Sequence, residues 1–170
     1  MNETVTKLDA ATIGQAKVAG LLRRLAIIVY DGMLLFGILV MAAALFVVPV
    51  LAVTGAATIE GQSRAVFQVW LLAVILAYFG YFWSNGRQTL AMRAWRVRLV
   101  RSDGEDLSAA DALRRLVLAL LTNLPLGAGL FWVLLDPDGL SWYDRLSRTR
   151  PVLLAKPKRD RGKAAKGRGA

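Results

Sequence analysis

The chain has no cysteine and no histidine. Disulfides, thiolate nucleophiles, cysteine lipidation, histidine metal ligands and every Ser-His or Cys-His catalytic pair are therefore excluded. Acidic residues are also scarce, 12 against 22 lysines and arginines. No cluster of carboxylates suggests a metal centre, and Asp103, Glu105 and Asp106 read as solvated loop residues. Neither a cofactor nor a metal is expected, and an enzyme is the least favoured class. Proline is sparse, at 5 residues, so the few positions where it falls carry weight as helix breaks. Residue 2 is Asn2, which excludes N-myristoylation.

What the chain has is apolar sequence, 56% of 170 residues, gathered in blocks rather than spread with the periodicity of a soluble core. Residues 25–53 form an uncharged run broken only by Asp31. At 1.5 Å per residue such a helix is about 43 Å long, more than the roughly 30 Å hydrocarbon layer requires. A first membrane helix is expected over 25–48, ended or kinked at Pro49. With mostly polar sequence before it and no small-residue cleavage site, this helix reads as permanent rather than as a cleaved signal. A second apolar block, 65–83, has the length of one more span and ends in Tyr78, Tyr81 and Trp83, aromatic types that favour the headgroup boundary.

The third block, 112–135, is interrupted by Asn123, Pro125, Gly127 and Gly129. Charge distribution bears on its path. If only the first two blocks cross, 21 of the 22 lysines and arginines lie on one side, with Arg64 the exception. The third block is therefore expected to be a re-entrant or in-plane broken helix, with backbone groups around the break facing protein or water; a full third span, which would send the last ten lysines and arginines across the membrane, is the less favoured alternative. The simpler reading is an in-plane anchor held by Phe131 and Trp132. Both termini would then be cytoplasmic in a multi-pass membrane protein. Residues 1–18 would be a cytosolic segment, 19–154 the membrane domain and 155–170 a basic disordered tail.

Between the second and third blocks, residues 95–101 alternate with period two and suggest a strand. A small cytosolic β-pair between 96–100 and 151–154 would need the membrane domain to lean on. Ser108 and Asp111 have the spacing of a helix-start capping box. The fold class is thus an all-α integral membrane protein with two transmembrane helices, a broken third segment and that β-pair.

Asp31 is the sharpest candidate. A carboxylate in such a run costs a few kcal/mol on insertion scales and needs a partner, water or a proton. It is either a proton or cation site, or a packing residue bonded to a neighbour such as Tyr78, Tyr81 or Asn123. Arg24 is seven residues away, on the same face but about 10 Å along the axis, too far for direct pairing. Asp144, after the interrupted block, is a better partner, which would place a charged pair Arg24–Asp144 at the cytosolic mouth. Gln68 reads as interhelical glue.

Arg24 and Asp31 in Arg-Leu-Ala-Ile-Ile-Val-Tyr-Asp, then Gly86-Arg-Gln-Thr-Leu-Ala-Met-Arg93 with its following strand, then Tyr143-Asp144-Arg-Leu-Ser-Arg-Thr149, occur in the order of the RDD family. The chain resembles that family over about 19–154. Ala91 stands where the family's segment has glycine, Arg87 shifts the spacing by one, and Tyr143 replaces histidine. The resemblance makes Asp144 the second aspartate, and it implies a small bacterial membrane protein for which ligand or ion transport, including cation/proton exchange, has been proposed.

Two functions are carried forward. One is a transporter or transporter subunit in which Asp31 takes a proton or cation; the other is a noncatalytic membrane scaffold for a neighbouring complex. Two spans and a broken segment enclose no continuous aqueous path, so transport would require a homo-oligomer or membrane-protein partner. Ala73, Ala77 and Gly80 offer a small-residue face for it. The tail, with seven basic residues in 156–170, suits anionic lipid better than nucleic acid, since no aromatics interleave with its charges.

Overall fold

The computed structural model describes residues 17–55 and 57–154. The expected N-terminal segment, apart from its last two residues, and the basic tail with its proposed lipid contact lie outside the described residues. The first long helix, α1, runs Leu21–Thr54, and the second, α2, runs Gly61–Phe82. Both are long and apolar enough to cross a membrane. Together they form an antiparallel hairpin: Trp70 donates its indole N–H to the Ala42 carbonyl at 3.0 Å, and the rings of Phe46 and Phe67 sit 5.5 Å apart. Outward-facing Met33, Phe36 and Leu45 are each about 70% exposed, a surface that suits lipid and not water.

Two boundaries differ from expectation. The first helix continues through Pro49 to Thr54 instead of stopping at 48. A proline removes one backbone bond, and the turn after it is held by the Thr54 hydroxyl donating to the Val50 carbonyl at 2.7 Å. The actual stop is Gly55, at φ 65°, whose N–H bonds to the Leu51 carbonyl. The second helix starts at Gly61 rather than 65, so Arg64 lies within its first turn. At 34 residues α1 is about 51 Å long, which leaves room for tilt or for ends outside the hydrocarbon.

After a turn the chain forms a short helix α3, Leu90–Ala94, then strand β1, Val97–Arg101. Helix α4, Ala109–Asn123, opens with the anticipated capping box, Ser108 accepting from the Asp111 N–H and Asp111 accepting from the Ser108 N–H. It ends at the break foreseen around Asn123. Helix α5, Ala128–Phe131, and a 3-10 turn, Trp132–Leu134, lead away at 101° to α4. Fifteen residues of α4 make about 22 Å, so neither arm alone reaches across a bilayer. The break's backbone is satisfied within the protein. Asn123 accepts from the Leu130 N–H at 2.9 Å and donates to the Ala119 carbonyl at 2.7 Å. Gly129 packs so closely on α4 that a Cβ there would lie 2.9 Å from the Thr122 backbone carbon.

A last short helix, α6, Trp142–Ser147, precedes β2, Thr149–Leu153. The strands pair antiparallel with Val97 opposite Leu153 and Arg101 opposite Thr149, slightly displaced from the anticipated 96–100 and 151–154. The pair is not isolated. Val18 bridges Val152, and Ala19 donates to the Pro151 carbonyl at 2.9 Å. The folded domain therefore includes residues 17 and 18, which the sequence had assigned to the segment before it. Ala19, Ile27, Met92, Val97, Leu99 and Leu107 make the core where the sheet meets one end of α1.

Candidate functional site

One face of α1 is buried and carries its two buried charged residues: Arg24, Ile27 and Asp31 are each under 10% exposed, at spacings of three and four residues. Arg24 and Asp31 belong to two separate clusters, one at the helix end and one deeper.

The outer cluster is built on Asp144, which is fully buried. Its position follows from a capping box at the start of α6: Ser141 accepts from the Asp144 N–H at 3.2 Å, and Asp144 Oδ2 accepts from the Ser141 N–H at 3.0 Å. Arg24 donates to the same Oδ2, so the structure brings together the two residues that order and depth had suggested. The rest of the Arg24 guanidinium is spent on the Ala19 carbonyl at 2.7 Å, the Gly139 carbonyl at 2.9 Å and the Ser141 hydroxyl at 3.3 Å. A third member, Arg115 of α4, pairs with Asp144 Oδ1 at 2.5 Å. Its Nη1 also donates to the Thr149 hydroxyl, and its charge lies 4.9 Å from the Tyr143 ring centre. Burial works to raise the Asp144 pKa, but Arg115 and Arg24, with the Ser141 N–H, outweigh it and hold the carboxyl below the usual carboxylate range.

In the deeper cluster Asp31, 5% exposed, accepts two hydroxyl hydrogen bonds. Tyr78 of α2 donates to Oδ1 at 3.2 Å, and Thr89 donates to Oδ2 at 3.0 Å. Thr89 is fully buried, and its oxygen also accepts the Met92 N–H at 3.1 Å as the N-cap of α3. No cation pairs with Asp31 among the described residues, in contrast to Asp144 with its two arginines. Of the neighbours proposed for it, Tyr78 is present. Tyr81 is 56% exposed, with Arg87 over its ring, and Asn123 is committed to the hairpin break. Gln68 is exposed and does not bridge helices. In the small-residue stripe a Cβ added at Gly80 would lie 3.6 Å from the Leu113 side chain of α4, so part of that face is used within the chain.

Sequence reasoning missed Thr89 and Arg115. Thr89 lay inside the Gly86–Arg93 segment already singled out, but nothing local says that its hydroxyl reaches a helix 58 residues earlier. Arg115 had a readable signal: on a helical wheel it shares a face with Ala112, Ala119 and Asn123, whereas Arg114 falls outside and is exposed. Ala91, in the place of a glycine, is 1% exposed, so its methyl group is accommodated inside the core.

No curated protein and no solved structure matches the chain. The family model that does match spans residues 18–148 and takes in α1, both clusters and the broken hairpin. Arg24, Asp31 and Asp144 all lie within the matched residues, and the chain belongs to the RDD family.

Proposed function

We propose that this RDD protein is a small transporter or transporter subunit in which Asp31 takes up and releases a proton or a cation. The observation that carries the reading is the contrast between its two buried aspartates. Asp144 is neutralised by fixed arginines, whereas Asp31 meets only the neutral hydroxyls of Tyr78 and Thr89. A carboxylate buried beside an apolar helix without a fixed countercharge suits an exchangeable one. The outer cluster is the charged gatepost of the same face, with Arg24 and Asp144 at the cytosolic mouth. Arginine and lysine bias supports cytoplasmic termini in a bacterial inner membrane. A route for ions needs a further wall, so the working form is an oligomer or a complex with another membrane protein. No cofactor, resident metal or enzymatic step enters this reading.

The second reading is a membrane scaffold. It is favoured by the same hydroxyl bonds, which also tie α1 to α2 and α3. Ion flux in liposomes, driven by pH or salt gradients, separates the two when wild type is compared with Asp31→Asn at equal folding and incorporation. Wild-type flux that disappears in the variant is the expected result. Folded protein of both kinds with no flux would refute transport and leave the scaffold.

A further inference from the structure

Between α1, α4 and the sheet lies a cavity of about 130 Å³. Arg24, Arg115, Trp83 and Tyr143 line it together with the apolar Ile28 and Ala119. An apolar cavity of about 150 Å³ holds one benzene-sized group, so this one has room for one slender apolar chain segment and not for two. Ile28 is 51% exposed, which places the mouth of the cavity on the apolar flank of α1.

The charge around it is unbalanced. Arg24 and Arg115 face a single carboxylate, Asp144, leaving one positive charge over in the cluster. The surplus belongs to Arg115, which is 5% exposed. Arg24 bonds through all three of its nitrogens, whereas Arg115 bonds through Nη1 alone; its Nε is buried without an acceptor, and its Nη2 meets none among the described residues. The indole N–H of Trp83, with the Arg115 guanidinium 5.6 Å from its ring centre, is buried and lacks an acceptor too. The Nε–Nη2 edge is the guanidinium edge that receives a carboxylate through two parallel hydrogen bonds. Next to it the lining is apolar on both helices: Ala119 lies one turn beyond Arg115 on α4, and Ile28 one turn beyond Arg24 on α1, while the amide of Asn123, a further turn along α4, is committed to the hairpin break.

We infer that this cavity is a binding site for a single-chain carboxylate of the fatty-acid class. Its head takes the Nε–Nη2 edge of Arg115 and the indole N–H of Trp83, and the first part of its chain runs between Ile28 and Ala119. The monoanion matches the surplus charge, and the single chain matches the volume. The inference goes beyond the transport reading and stands whether or not any ion moves at Asp31.

The test is carbon-13 NMR of carboxyl-labelled palmitate added to the full chain in nanodiscs of zwitterionic lipid. A bound carboxyl resonance, distinct from the bilayer pool and saturating at one per chain, is expected. Ala119→Leu fills the cavity while leaving the Arg24–Asp144–Arg115 cluster whole, and Arg115→Gln removes the fork. Each is expected to weaken binding by about tenfold or more, the size of a lost charge-assisted hydrogen bond. Should Arg115→Gln fail to fold, Ala119→Leu decides alone. Absence of the resonance with folded wild type, unchanged binding in the folded variants, or displacement of palmitate by an equal amount of phosphatidylglycerol would each overturn the inference, the last by making a two-chain phospholipid the occupant.

Discussion

Replacing Asp144 by asparagine leaves two guanidinium groups, Arg24 and Arg115, each 5% exposed, with no anion between them. Breaking a buried ion pair from one side costs about 3–5 kcal/mol, because the remaining charge stays out of water. The asparagine carbonyl retains the cap on Ser141 or one neutral bond to Arg24, which returns about 1 kcal/mol. A net loss of about 2–4 kcal/mol remains; at roughly 2–4 °C per kcal/mol for a chain of this size, that is about 4–16 °C in Tm. Arg115→Met removes the surplus cation and leaves the Arg24–Asp144 pair, so its cost should stay under about 1 kcal/mol. The double variant Asp144→Asn/Arg115→Met should then be more stable than Asp144→Asn alone, a coupling opposite in sign to additivity. Thermal unfolding of the four proteins in one nanodisc preparation reads this directly. An Asp144→Asn protein within about 2 °C of wild type, or a double variant less stable than either single one, would refute the account of the cluster.

Three further outcomes follow from the same structure. Since the folded Asp144 pKa is depressed, the stabilisation is fully present above the unfolded value near 4 and is lost only as pH falls through the folded one; the Asp144→Asn penalty should be flat from pH 8 to 5 and shrink below about 4, as unfolding at a series of pH values would show. Gly129→Ala sets a methyl group against Thr122 at the hairpin break, and overpacking of this kind costs about 1–3 kcal/mol; unfolding should register that loss, while the open position Gly37 should accept alanine without it. Leu126, 96% exposed at the apolar tip of the break, is expected to be lipid-covered, so Leu126→Cys in this cysteine-free chain should resist a membrane-impermeant maleimide in sealed vesicles and react in detergent. Full labelling in sealed vesicles would place the tip in water.

Features governed by short-range chemistry were legible in the sequence. Uncharged runs gave the two long helices, the Ser108–Asp111 spacing gave the start of α4, and Asn123 with Pro125 and the glycines marked its end. Period-two alternation located the first strand to within a residue or two. The end of α1 was misplaced because a proline forbids one backbone bond, not a helix, and no stronger stop signal intervenes before Gly55. The candidate sites divide in the same way. Depth and order were enough to bring Arg24 to Asp144, but the hydroxyl of Thr89 and the guanidinium of Arg115 act across 58 and 34 residues of chain. Those contacts depend on how α3 and α4 dock, which no local pattern encodes.

The Arg24–Asp144 pair also sets a timetable. The two residues are 120 positions apart, so at roughly 5–20 residues per second about 6–24 s separate the synthesis of the arginine from that of its counterion. Through that interval α1 is already apolar enough to enter the bilayer, and its guanidinium can only reach back to the headgroups along its flexible stem. On the membrane-spanning reading, the first helix is expected to stay shallow until the last short helix and strand arrive to draw the arginine inward, so that completion of the chain, rather than insertion of its first segment, would seat α1 at its final depth.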